Sequence, residues 1–259
     1  MEALESDLQY RLRCIKREQK LLQELVRTTN AHFWQRTRTI GPVKSGNDRD
    51  TSLQYIGGLD LACAKDNQNR ACGALVVLSV PDLKVVYTDT LIEDLNTPYI
   101  PGFLGAREYP LMGKLLDRLR ENAPEYLPQV LLIDGNGVLH TRRCGSACYV
   151  GVNQRIPTIG VGKTLFHMPS WDQSFEREIN NTVRKYGDEM DLIDQNETVG
   201  KAVIASRTST KPIFVSVGHD IDLETAVWVV QLCTKFRIPE PIRKADFLSR
   251  RTIEASRVI

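Results

Sequence analysis

Leu131-Leu132-Ile133-Asp134-Gly135-Asn136-Gly137 is an apolar run that stops abruptly at a carboxylate and continues into a glycine-flanked asparagine. Strands buried on both faces of a parallel sheet read as continuous apolar runs, and ligands of open α/β sheets sit beyond the carboxyl ends of the strands. The stretch therefore reads as a buried strand that delivers Asp134 to its rim. Asp-Gly and Asn-Gly are also ordinary turn dipeptides, so the neighbouring segments decide between a turn and a site.

Upstream lie three β-rich stretches, Tyr55 to Ala64, Ala71 to Val80 and Leu83 to Ile92, joined by Lys65 to Arg70 and by Pro81-Asp82. Connectors this short predict antiparallel pairing. Asp60 falls between Leu59 and Leu61, and a charge inside an apolar strand is costly unless something pairs with it. A rigid loop, Thr97-Pro98-Tyr99-Ile100-Pro101-Gly102, and a helix from about Phe103 to Asn122, with Arg107 and Glu108 in its early turns, lead to the strand ending at Asp134.

Downstream, a short helix around Arg143 to Val152 precedes a strand at 157–161 that stops at Gly162-Lys163. Residues 168–197 are polar and show no clear period. Val199 to Ser206 and Pro212 to Val217 read as an antiparallel pair ending in Gly218-His219. Asp222 is a candidate N-cap for a helix over Leu223 to Phe236, stopped by Ile238-Pro239, and a last helix starts near Ala245-Asp246. Three antiparallel strands, a crossover helix and a strand parallel to the first predict a mixed α/β sheet flanked by helices, in the ribonuclease H-like order. In that order the first and fourth strands are neighbours, so Asp60 lies beside Asp134. Two carboxylates so close repel unless a cation sits between them, and a hard divalent ion is the natural occupant.

Residues 1–30 carry Leu4, Leu8, Leu12, Ile15, Leu22 and Val26 at helical spacing, with Arg11, Arg13, Lys16, Arg17 and Lys20 elsewhere on the wheel. The stripe predicts an amphipathic helix that packs, with its basic face solvated. Residues 38–52, with Gly41, Pro42, Gly46, Asn47 and Asp48, form a polar loop. The 259 residues, 42% apolar and 25% charged, fit a single globular unit without an internal linker. A net charge of +2 excludes a uniformly basic surface, so any nucleic-acid affinity comes from local patches. The six cysteines lack a repeated Cys-x-x-Cys spacing, which argues against zinc. With no signal segment and no apolar run near 20 residues, an intracellular protein without membrane contact is expected.

The chain resembles the endonuclease V family over about residues 30 to 255. The motifs are Gly57-Gly58-Leu59-Asp60, Pro98-Tyr99-Ile100-Pro101, Phe103-Leu104-Gly105-Ala106-Arg107-Glu108, Asp134-Gly135-Asn136-Gly137 with His140, Gly160-Val161-Gly162-Lys163, Val217-Gly218-His219 and the stretch Arg237 to Asp246, which is in the eukaryotic style. The resemblance implies a magnesium-dependent endoribonuclease, with manganese as a substitute. It would cut inosine-containing single-stranded RNA one nucleotide to the 3′ side of inosine, at the second phosphodiester bond, leaving a 3′-hydroxyl and a 5′-phosphate. The rivals are repair of deoxyinosine-containing DNA and a module that binds inosine or nucleic acid without cutting. A monomer in the cytoplasm, the nucleus or both is expected.

For the site, the resemblance implies Asp60 and Asp134 as principal metal ligands, with Glu108, Asp246 and His219 completing the set. Lys163 would meet the scissile phosphate. Tyr99, held by Pro98, Ile100 and Pro101, would be a wedge beside the unstacked base. Gly102, Gly135, Asn136 and Gly137 would allow close approach to that base, and His140 with Arg142 and Arg143 would face the nucleic-acid backbone. Two positions depart from the family pattern: Cys63 stands where a serine is frequent, and Asp220 where a basic residue is usual. The second is expected to change charge near the metal or the substrate.

Overall fold

The computed structural model describes residues 2–41 and 51–256. The polar stretch at 42–50 and the side chains of Leu4 and Leu8 lie outside what it describes. An N-terminal helix, α1 (Glu2–Leu25), and a short α2 (Phe33–Thr37) precede an antiparallel meander, β1 (Tyr55–Cys63), β2 (Arg70–Ser79) and β3 (Val85–Asp94). Then come α3 (Leu104–Asn122), β4 (Val130–Asp134), α4 (Ser146–Gln154), β5 (Thr158–Gly162), α5 (Gln173–Thr182), β6 (Glu189–Asp194), β7 (Glu197–Val203), β8 (Ile213–His219), α6 (Leu223–Leu232) and α7 (Glu240–Ala255).

The strands form one eight-stranded sheet in the order β3-β2-β1-β4-β5-β8-β7-β6. β1, β4 and β5 run parallel at its centre, and β8 turns antiparallel against β5. The expected mixed sheet is thus present, with the first and fourth strands side by side. The polar segment at 168–197 holds α5 and β6. Its signal is weak because β6 breaks the apolar-in, polar-out alternation at its end, where Ile193 is exposed and Asp194 buried.

Strand alternation divides the core into two layers. Ile56, Val130, Leu132, Ile159 and Val161 face α6 and α7, whereas Leu59, Leu131 and Ile133 face α3 and α4. By the same two-residue period, Asp60, Asp134 and Lys163 project on the α7 side at the carboxyl ends of three adjacent strands.

α7 begins at Glu240, not near Ala245-Asp246. Pro239 precedes it, and Pro241 occupies its first turn, where a missing N–H costs nothing. Asp246 consequently lies in the second turn of a helix that packs on β1 and β2. Likewise α6 ends at Leu232, short of Phe236, and the Cys233 carbonyl then accepts the Glu240 N–H at 2.9 Å, which joins the two helices.

Gly58 sets the approach of α7 to β1. A Cβ there would stand 2.2 Å from the Pro241 carbonyl carbon, so any side chain pushes the start of α7 away from the sheet. Gly58→Ala is expected to cost about 1–3 kcal/mol by overpacking. Thermal melting checks this, and an unchanged midpoint would show that the contact is not tight in solution.

Candidate active site

Asp60 ends the apolar part of β1 and is 5% exposed. Asp134 ends β4, and Asp246 comes in from α7. One carboxylate oxygen from each lies within 4.8 Å of the others. Lys163, the residue after β5, places its Nζ 2.5 Å from Asp134 Oδ2 and 3.6 Å from Asp246 Oδ1. Ser249 donates to Asp60 Oδ2 at 2.9 Å, and Arg250 Nε donates to Asp246 Oδ1 at 2.9 Å.

Burial and the adjacent Asp134 raise Asp60 to about 7. Glu108, on the opposite layer in α3, is raised to about 8 by burial and then by Asp60 and Asp134. Its Oε2 lies 3.5 Å from the Ser146 hydroxyl, so it adjoins the three aspartates without belonging to their close cluster. Burial alone would lower Lys163, but Asp134, Asp60 and Asp246 outweigh it, and the ammonium is held charged. Three carboxylates around one point, offset by Lys163 and, at Asp246, by Arg250, still leave excess negative charge. Their donors are oxygens alone, which suits a hard divalent cation rather than a thiolate- or imidazole-seeking one.

His219 is not brought to this cluster. β8 is antiparallel to β5, so His219 pairs with Thr158 at the start of β5, while Gly162 at the other end pairs with Phe214. Four residues of strand, roughly 13 Å, separate the two ends. His219 Nδ1 instead accepts the Arg27 backbone N–H at 3.3 Å, and Asp220 is bound by the Arg27 guanidinium. Asp220 is thus equally remote from the aspartates and does not alter their charge as expected from the sequence. Cys63, by contrast, lies close enough to Glu108 and Arg107 to feel both.

Beside the cluster is a cavity of about 170 Å³ lined by Tyr99, Gly102, Gly135, Asn136, His140 and Ser146, among others. Tyr99 stands 67% exposed at its mouth, between a half-buried Pro98 and a half-buried Ile100, with Pro101 exposed. Gly102 and Gly135 have φ of +79° and +147°, values that favour glycine. A Cβ on Gly137 would stand 1.9 Å from the Val217 carbonyl oxygen.

His140 is buried against Phe166 and hydrogen-bonds the Gly102 backbone, and burial with the nearby Arg142 lowers it to about 4. It is therefore a neutral wall of the cavity and not a cation facing phosphate. Arg142 is exposed, donates to the Gly102 carbonyl at 2.6 Å and lies over the Phe103 ring. Arg143 is tied up with Asp194 Oδ2 at 2.6 Å.

Sequence reasoning missed Gln19, Ser249 and Ser146. Gln19 is buried in α1, donates to the carbonyls of Gly102 at 3.1 Å and Cys144 at 2.7 Å, and accepts from Arg142. The signal for it was a polar residue inside the stripe of Ile15, Leu22 and Val26. For Ser249 it was a hydroxyl three residues beyond Asp246 on a helix, hence on the same face.

A carboxylate cluster at the carboxyl edge of a mixed sheet in this order defines a ribonuclease H-like, metal-dependent nuclease. The Endonuclease V family model matches residues 39–247. Endonuclease V of Mus musculus is 44% identical over 240 residues, 92% of this chain and 68% of that protein. The Homo sapiens protein is 42% identical over 243 residues, 93% of this chain and 83% of that one. The crystal structure of the catalytic domain of human Endonuclease V superposes with a TM-score of 0.87 at 38% identity, covering 95% of this chain and 97% of that chain. Ciona intestinalis Endonuclease V, crystallised with a 23mer DNA containing an inosine followed by a ribo-adenosine, superposes with a TM-score of 0.81 at 33% identity, covering 95% and 98%. The chain belongs to the Endonuclease V family and is an endonuclease that hydrolyses phosphodiester bonds.

Asp60 and Glu108 bind protons more tightly folded than unfolded. The stability they contribute is complete below about pH 4 and is lost as pH rises through about 7 for Asp60 and about 8 for Glu108. A divalent cation held by the cluster would replace those protons, so any rise in melting temperature with added magnesium or manganese should grow between about pH 6 and pH 8.5. Differential scanning fluorimetry against a chelator control checks this. The rise should survive His219→Gln and vanish in Asp134→Asn; dependence on His219 would return that residue to the metal site.

Proposed function

We propose that this protein is a magnesium-dependent endoribonuclease that cuts inosine-containing single-stranded RNA one nucleotide to the 3′ side of inosine, leaving a 3′-hydroxyl and a 5′-phosphate. The observation that carries the reading is the contiguity of three parts: a three-aspartate cluster, a glycine-floored cavity and a proline-braced, exposed Tyr99 at its mouth. A nuclease that recognises one modified base must unstack it, hold it and cut beside it, and these parts correspond to those three tasks.

Asp60, Asp134 and Asp246 would hold the ion. Bound there, magnesium supplies charge neutralisation for the phosphate and an acidified water, and manganese is an oxygen-seeking substitute. Lys163 Nζ stays charged beside Asp134 and is placed to meet the scissile phosphate or the oxygen that leaves. Glu108, buried beside the cluster and hydrogen-bonded by Ser146, would complete the acidic set around the ion through a water. Tyr99 fills the gap left by the extruded base with a ring that loses little freedom, since prolines restrict the chain nearby. Gly135, Asn136 and Gly137 bring backbone close to the base edge.

The preference for RNA draws support from the ribo-adenosine that follows inosine in the Ciona intestinalis complex. A ribose at that step offers a 2′-hydroxyl for recognition. We further propose a monomer acting in the cytoplasm, the nucleus or both.

The test is cleavage of end-labelled strands, RNA and matched DNA, carrying inosine, adenosine or guanosine at one position, with magnesium or chelator. Cutting is expected beside inosine alone, faster on RNA and abolished by Asp134→Ala. Faster cutting of DNA would make repair of deoxyinosine the function, and uniform cutting of all strands would remove the inosine pocket. Tyr99→Ala is expected to slow cleavage about 10- to 100-fold, since unstacking costs a few kcal/mol. The loss should be smaller where inosine already lies in a flexible unpaired loop; an equal loss on both substrates would assign Tyr99 a packing role.

A further inference from the structure

α1 is amphipathic as its sequence predicts, but its basic side does not face empty solvent alone. Lys16, Lys20 and Gln23 form one wall of a groove of about 430 Å³, and Thr141, Arg142 and Arg143 form the other. Lys16 and Lys20 are exposed and one helical turn apart. Among the described residues neither has a carboxylate partner. Arg142 is bound to neutral acceptors, the Gly102 carbonyl and Gln19, so its charge is uncompensated as well. Arg143 differs, since Asp194 and Glu197 neutralise it. Arg13 and Arg17, also exposed, extend the same side of the helix. In a chain of net charge +2, this is a local concentration of unpaired cations.

The groove also adjoins the cavity beneath Tyr99. Gln19 lines that cavity and lies between Lys16 and Gln23 on α1, while Arg142 follows the cavity residue His140 by one step of the chain past Thr141. A strand whose base enters the cavity must carry its backbone away from it, and the unpaired cations border one such exit.

We propose that this groove seats the sugar-phosphate backbone of the strand flanking the inosine, so that α1 is a substrate-binding element as well as a packing one. The proposal rests on the nucleic-acid substrate proposed above. It assigns Lys16 and Lys20 to sequence-independent phosphate contact, which governs affinity and its salt dependence rather than the choice of base.

Binding of a labelled inosine strand of about 20 nucleotides, and of one of about 5, is measured by fluorescence anisotropy in chelator on the intact protein. Cleavage kinetics run in parallel. Lys16→Glu with Lys20→Glu should weaken binding of the longer strand about tenfold and make log affinity against log salt shallower by about 1.4, two phosphates on a single strand. The short strand should be much less affected. Lys84→Glu, in the β2–β3 turn at the far end of the sheet, is the charge control. Wild-type affinity and salt slope in the double variant, or a loss matched by Lys84→Glu, would overturn the groove whether or not wild type cuts beside inosine. Failure of wild type to cut, with the binding loss intact, would overturn the proposed function and leave the groove. A loss equal on both strand lengths would also overturn it, because the contact would then lie at the base itself.

Discussion

Repulsion between Asp60 and Asp134 is the constraint around which this structure is arranged. The parallel pairing of β1 with β4, with Leu59 opposite Ile133, brings both carboxylates to one edge and one face of the sheet. Burial then raises the proton affinity of Asp60. Nothing in the apolar layers on either side can relieve that charge; relief comes from Lys163 at the end of the next strand, from the Ser249 hydroxyl and, when a cation is bound, from the metal. The same field reaches across the sheet to Glu108. An edge that strongly attracts cations is what a phosphodiester hydrolase needs, because its substrate is an anion that must approach an acidic cluster.

The cluster is completed by helix packing. α7 reaches Asp60 because Gly58, two residues earlier on the same face of β1, lets the Pro241 backbone come within a distance that no side chain permits. Its second turn then presents Asp246 and, three residues on, Ser249. A glycine in the strand and two prolines at the start of the helix are therefore as much part of the site as the carboxylates.

Beside the charged cluster the cavity has a different character. Its walls are glycine backbone, a neutral His140 and the Phe166 ring, suited to a flat, uncharged base. Gln19 and Arg142 converge on the Gly102 carbonyl, which fixes the end of the loop that carries Tyr99. The N-terminal helix thereby bears on the position of Tyr99, although it lies outside the sheet.

The sequence alone determined the strands at the centre of the sheet and the identity of the acids at their ends, because apolar runs are local properties; that Asp60, Asp134 and Lys163 share a face follows from the register of three strands. Glu108 and Tyr99 were legible too, through a helix start and a proline-bounded loop. The tertiary structure decided what depends on direction and reach. His219 ends a strand just as Asp134 does, yet β8 runs the opposite way and carries it to the other edge; no local pattern encodes that direction. Asp246 read as a helix start until Gly58 and Pro241 placed it in the second turn. Gln19 read as one polar residue among many on a helix, because a side chain that bonds Gly102 and Cys144 acquires its role only when those distant segments are brought to it.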